Sequence, residues 1–250
     1  MDDLRRHHYL SMLGVTQWQL RLSADSSVAG QSIESPGDLE EAVIELPPAV
    51  PDKTGEISSP VVTEIAPDWQ MLRDQVKQCR KCELRGGCTQ TVFGVGDQQA
   101  DLLVIGEAPG ADEDRQGEPF VGRAGKLLDA MLLAMGFKRE AIFIANIVKC
   151  RPPNNRDPKS QEAQSCEPYL LRQIELIRPK LILSVGRISA QNLLKTEIAV
   201  GKLRGRVHAF GERKIPLVVT YHPAYLLRSP EQKGKAWQDL QLALSVLRGE

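Results

Sequence analysis

Two sets of residues in this sequence could do chemistry. The first is a set of thiols. Cys79 and Cys82 are spaced C-x2-C, Cys88 lies close behind them, and Cys150 and Cys166 follow far down the chain. A C-x2-C pair puts two thiolates on one tetrahedral metal or cluster, and Cys150 and Cys166 are available to complete four. Cys88 is then the odd one out, or it replaces one of the four. Spacing does not separate zinc from iron–sulfur, since both accept four thiolates, and cysteines scattered through a core are the plainer alternative. An odd count of five on a chain with no export signal argues against a disulfide framework.

The second set sits in glycine- and proline-rich segments. Residues 106–128 read GEAPGADEDRQGEPFVGRAGKLL: a strand end, a tight turn, the carboxylates Asp112, Glu113 and Asp114, then Pro119-Phe120 before a helix. Backbone N–H groups at that helix start suit an anion or an ordered water; the alternative is an acidic, solvated loop. Two nucleotide-binding readings fail. Gly94-Val95-Gly96 lacks the third glycine of a dinucleotide fingerprint, and the phosphate-loop-like run 122–126 is followed by Leu127 where Ser or Thr should bind magnesium. Asn146 closes an apolar run with an amide that can both donate and accept. His222 follows another such run, with Pro223 limiting its backbone freedom.

These residues need a scaffold, and the apolar patterning supplies one. Runs at 101–106 (DLLVIG), 141–148 (AIFIANIV), 180–185 (KLILSV) and 216–220 (PLVVT) read as buried strands. They alternate with helical patterns near 123–135, 160–177, 189–195 and 231–247. Strand–helix alternation with continuously apolar strands predicts an α/β fold, a parallel sheet covered on both faces. Ligands of such sheets bind beyond the C-terminal strand ends, where the segments 107–122, 149–158 and 221–228 fall.

Around this body the chain divides into three parts: 1–22, 23–67 and 68–250. Residues 23–67 carry six prolines and a single basic residue, Lys53, a composition predicted to stay a disordered tether. The formal net charge of zero hides an asymmetry. Residues 1–68 hold 4 Lys/Arg against 12 Asp/Glu, and the rest hold 28 against 20. A basic body favours a polyanion such as nucleic acid. No run approaches the roughly 20 apolar residues of a membrane span, so an intracellular soluble protein is expected; with a polyanion as partner, the further expectation is a cytoplasmic, nucleoid-associated monomer.

With these residues in view, the chain from about Asp68 onward resembles the iron–sulfur uracil-DNA glycosylases, family four of their superfamily. GEAPGADED, PFVGRAG, NIVKCRPP and YHPAYLLR occur in the family's order and spacing. The resemblance implies a three-layer α/β/α fold with a four-stranded, mainly parallel sheet, and a [4Fe–4S] cluster on Cys79, Cys82, Cys150 and Cys166. It implies that Phe120 stacks on a flipped uracil, that Asn146 reads the base's Watson–Crick edge, and that His222 faces uracil O2 as the leaving base becomes an anion. Ala108 stands where classical uracil glycosylases carry a water-activating aspartate, so Glu107 and Glu113 are the replacement candidates for positioning water or stabilising the sugar cation. Tyr225, Leu226, Leu227 and Arg228 are expected to probe the duplex as an apolar wedge with a phosphate-holding arginine. One branch of the superfamily bonds covalently to DNA through a histidine in an inserted basic loop. Residues 150–166 (CRPPNNRDPKSQEAQSC) contain no histidine, so ordinary turnover on single- and double-stranded uracil-DNA is expected. The alternative is a non-catalytic iron–sulfur DNA-binding adaptor of the same fold.

The N-terminal stretch lies outside that pattern. Residues 10–21 (LSMLGVTQWQLR) are similar to the N-terminal peptide of the psi subunit of the bacterial replicative clamp loader, which docks on the loader's collar. The similarity implies that residues 5–22 dock on the replication machinery, the tether raising the effective concentration of the enzyme there.

Overall fold

The computed structural model describes residues 67–250. The expected docking peptide and all but the last residue of the expected tether lie outside the described residues. The ordered body begins with helix α1 (Pro67–Lys77), whose Trp69, Leu72 and Val76 are buried. Trp69 packs its ring against Phe93 and Phe143, with centroids 5.9 and 5.4 Å away.

The four predicted strands are present as β2 (Leu102–Gly106), β3 (Phe143–Asn146), β4 (Leu181–Val185) and β6 (Ile215–Thr220). They pair in parallel in the order β3-β2-β4-β6. The expectation of four strands needs one correction: the sheet has six. Two short strands, β1 (Val95–Gly96) and β5 (Val207–Phe210), add antiparallel edges beside β3 and β6. Neither carries a buried apolar run, which is why the strand pattern missed them.

Side chains alternate between two cores. Leu103 and Ile105 of β2 join Trp69, Tyr169 and Ile174 on one face. Leu102 and Val104 join Leu128, Leu132, Trp237 and Leu240 on the other. The first face is covered by α1, by α5 (Ser160–Ile177) and by α6 (Arg187–Leu194), and the second by α4 (Arg123–Ala134) and α9 (Lys233–Arg248). The result is the three-layer α/β/α arrangement. No described helix is long and apolar enough to cross a membrane.

Three short helices fall where loops were expected or the pattern was silent. These are α2 (Leu84–Gly87), α3 (Ala111–Gln116) and α8 (Pro223–Arg228); α7 (Val200–Leu203) is a further single turn. Both α3 and α8 stand at the C-terminal end of the parallel strands, and both shape the cleft there.

Candidate active site and thiol cavity

Strands β2, β3, β4 and β6 end at one cleft, lined by Glu107, Ala108, Glu113, Phe120, Asn146, Gly186, His222, Tyr225 and Arg228 among others. The residues singled out from the sequence for base chemistry therefore come together here.

The acidic run makes bonds within the protein. Glu113 accepts hydrogen bonds from the backbone N–H groups of Gly110 (3.1 Å), Val121 (3.0 Å) and Gly122 (3.2 Å). It thereby ties the first turn of α3 to the start of α4 and clamps the intervening Phe120. Asp114 is buried and accepts from the Thr89 N–H and hydroxyl, both at 2.9 Å. Only Asp112 is solvated, paired with Arg115.

Phe120 is held in a left-handed conformation, φ 54°, and its ring lies 5.6 Å from that of His222 at an interplanar angle of 31°. Left-handed backbone is uncommon for a bulky residue and marks a geometry fixed by its surroundings. Gly106 makes the approach feasible. A Cβ there would stand 2.4 Å from Asn146 Oδ1 and 2.5 Å from Phe120 Cζ. Asn146 is buried, and its Oδ1 finds no hydrogen-bond partner among the described residues. An orphaned buried amide oxygen costs free energy unless a ligand group meets it.

His222 caps α8: its Nδ1 accepts the Ala224 N–H at 3.1 Å. A ring nitrogen that accepts leaves the proton on the other, so Nε2–H is a donor. Burial, with Arg228 nearby, lowers the His222 pKa to about 4, against a smaller opposing pull from Glu113. The ring is therefore neutral at pH 7. Gly186, φ 96°, lies against it; a Cβ there would be 2.9 Å from His222 Cβ.

Glu107 shows the other large shift. Burial raises its pKa to about 7, reinforced by the neighbouring, hydrogen-bonding carboxyl of Asp157 and opposed by Arg187. Asp157 itself pairs with Arg187. Asp157, Arg156 and Arg187 were not singled out from the sequence, yet all three line the cleft. Arg187 follows the C-terminal end of β4, so the strand-end rule could have flagged it. Asp157 could not be found that way, because its approach to Glu107 arises from folding of the 150–166 segment. That segment is pinned by a bidentate Arg156–Glu162 pair, at 2.7 and 2.8 Å.

The duplex-probing set needs a correction. Tyr225 and Leu227 are partly exposed, but Leu226 is 1% exposed and packs into the core with Leu128 and Val185. On a six-residue helix, adjacent leucines point about 100° apart, so one must turn inward. Leu226 is no part of a wedge.

The thiols gather elsewhere. Cys79, Cys82, Cys150 and Cys166 line one small cavity, with Val76, Leu84, Val148 and Tyr169 also in its wall. Burial raises the pKa of Cys82, Cys150 and Cys166, and the neighbouring thiols add to it. Cys88 is not in the wall; it neighbours Cys150, and its thiol donates to the Arg85 carbonyl at 3.7 Å.

The family model for the uracil DNA glycosylase superfamily matches residues 93–241. This chain belongs to that superfamily. Among similar proteins is a type-4 uracil-DNA glycosylase of Saccharolobus solfataricus, 46% identical over 184 residues, covering 71% of this chain and 85% of the relative. The type-4 enzyme of Archaeoglobus fulgidus is 43% identical over 173 residues (67% and 87%), and that of Thermotoga maritima 38% over 185 (72% and 95%). The superfamily match spans the whole cleft, from Glu107 to Arg228, and includes Cys150 and Cys166. Cys79 and Cys82 precede it.

Proposed function

We propose that this protein is a uracil-DNA glycosylase, hydrolysing the N-glycosidic bond of deoxyuridine in DNA to release uracil and leave an abasic site for base excision repair. The observation that carries the reading is the convergence of a clamped aromatic ring, an unpartnered buried amide and a neutral histidine donor on one cleft.

Each group has a task it is built for. Phe120 offers a rigid face for a flipped base, and Asn146 offers Oδ1 to the uracil N3–H and its amide N–H to O4. Cytosine lacks that N3 hydrogen and presents an amine in place of O4. The His222 Nε2–H points its dipole where negative charge grows on uracil O2 as the bond breaks. A neutral donor fits this role, because it stays hydrogen-bonded without passing its proton to the base. Glu107, ionised above about pH 7, stabilises the sugar cation or orients the attacking water. Glu113, committed to three backbone N–H groups, acts by holding Phe120. Tyr225, Leu227 and Arg228 face the duplex. The reaction ends in free turnover on single- or double-stranded DNA.

The cysteine cavity fits a [4Fe–4S] cluster held by Cys79, Cys82, Cys150 and Cys166. Four thiols line one cavity, the donor set that a [4Fe–4S] cluster takes. When bound it supplies a cross-link between the segment after α1 and the segment around α5; the hydrolysis needs no redox step. Residues 5–22 are proposed to dock on the clamp loader, tested by comparing its recovery with full-length protein and with a chain lacking residues 1–60.

The deciding experiment is abasic-site formation in a uracil-containing oligonucleotide by wild type, His222→Ser and Asn146→Ala. Wild type should cleave and both variants should lose most activity. Full activity in both variants would overturn the site assignment, and an inactive, DNA-binding wild type would favour the adaptor.

A further inference from the structure

Lys149 is buried, 1% exposed, between the cleft and the thiol cavity. A lysine in that position is costly unless its ammonium is fully engaged, so its bonds report what it is for. Nζ donates to the main-chain oxygen of Asn146 at 3.0 Å and to Gln173 Oε1 at 2.6 Å. Gln173, also fully buried, is fixed in turn by donating Nε2 to the Phe93 carbonyl at 2.9 Å. At its other end the Lys149 backbone N–H donates to Cys166 Sγ at 3.3 Å, and the next residue is Cys150.

Backbone bonds carry the chain past the end of β3, Ile147 N–H donating to the Gly106 carbonyl at 3.0 Å and Val148 N–H to the Glu107 carbonyl at 3.2 Å, and Lys149 adds a side-chain bond to the Asn146 carbonyl itself. Asn146 is the last strand residue, and its side-chain oxygen has no partner among the described residues. The aim of the amide is therefore set by the backbone at that point and by the close walls of Gly106 and Phe120. A charge-assisted bond to the Asn146 carbonyl is about twice as strong as a neutral one. An apolar residue of the same length would fill the space without fixing that carbonyl.

We propose that Lys149 is a positioning residue: its ammonium locks the backbone of Asn146 to the wall of the four-cysteine cavity, so that uracil recognition depends on Lys149 as well as on Asn146. This rests on the reading of the cleft as the uracil site. It also gives the thiol cavity a route to the chemistry, through one side chain and without electron transfer.

The test uses full-length protein as purified, with Lys149→Met and Gln173→Met. Three quantities are measured: free-uracil binding by calorimetry, kcat and KM on a uracil oligonucleotide, and absorbance at about 400 nm as a check on the cysteine site. Lys149→Met should keep its visible absorbance, bind uracil about tenfold more weakly, equivalent to about 1.4 kcal/mol, and lose kcat with little change in KM for DNA. Gln173→Met, which keeps the ammonium but removes its side-chain acceptor, should shift uracil binding the same way by less. A residue that only supports the fold would lower thermal stability and leave uracil affinity alone. Unchanged uracil binding in Lys149→Met overturns the proposal; if that variant does not fold, unchanged binding in Gln173→Met does so. Wild-type protein that neither binds nor releases uracil overturns the reading of the cleft itself, a result distinguishable from either variant's.

Discussion

Replacing Asp157 with Asn removes one carboxylate from beside Glu107 and the ion-pair partner of Arg187. Glu107 is pushed from 4.5 to about 7 by burial first and by Asp157 second, with Arg187 opposing. At about 1.36 kcal/mol per pKa unit the whole displacement is about 3 kcal/mol, trimmed to about 2 kcal/mol by residual solvent screening. If Glu107 acts as a carboxylate, only about a tenth of the wild-type enzyme is competent at pH 6 and about nine-tenths at pH 8. Single-turnover abasic-site formation should therefore rise about tenfold between those pH values. Asp157→Asn removes the like charge and releases Arg187 to act on Glu107, and both changes lower the pKa. The rising limb should move to lower pH, so the variant outpaces wild type at pH 6 relative to their rates at pH 8.

The stability consequence has a definite sign. A carboxyl whose folded pKa is raised favours the folded state while protonated. That contribution is complete below about 4.5 and is lost as pH rises through about 7. Glu107→Gln should then be slow at every pH with a flat profile, yet more stable than wild type above pH 7. A wild-type rate that is level from pH 6 to 8, or an Asp157→Asn profile that coincides with wild type, would refute the reasoning.

Other perturbations separate packing from chemistry. Gly106→Ala places a methyl group 2.4 Å from Asn146 Oδ1 and 2.5 Å from the Phe120 ring; uracil excision should fall at least tenfold while circular dichroism stays native. Leu226→Ala should cost about 2–5 kcal/mol in unfolding experiments, as expected for a core leucine. Leu227→Ala should leave stability within about 0.5 kcal/mol and weaken excision from duplex more than from single-stranded DNA. Cys79→Ser or Cys166→Ser should lose visible absorbance and lower Tm, because the linkage they complete closes a long loop; any soluble fraction that keeps the cleft should still release uracil.

The parallel core was legible because each of its four strands is a continuous apolar run, and only a strand buried on both faces needs one. The edge strands were not, since two residues of β1 and the half-exposed Val207–Phe210 leave no such trace. That Phe120, Asn146 and His222 meet in one cleft was legible through their motifs and, for Asn146 and His222, their places at strand ends. Their precision was not: the left-handed Phe120 and the Glu113 clamp depend on contacts between α3 and the start of α4, and the His222 tautomer on a local cap that exists only once α8 forms. Leu226 and Leu227 show the limit most plainly. Adjacent and identical in the sequence, they are sorted into core and surface by the phase of a six-residue helix that the sequence pattern read as loop.

The two sites of this chain are joined by the end of β3 and the segment immediately after it. Within five residues, Asn146 faces the cleft, Lys149 bridges inward, and Cys150 enters the thiol cavity. The same segment continues through Asp157, which adds to the effect of burial in raising the Glu107 pKa, to Cys166 on α5. A cross-link between Cys150 and Cys166 would thus brace both Asn146, the proposed base reader, and Asp157 beside Glu107. From that position the proposed cluster would bear on catalysis through structure. Releasing it would free the Lys149 backbone from Cys166 and slacken the 150–166 segment, so base recognition and the pH profile should degrade together. Independent decay of the two would mean that the cleft is held by the sheet alone.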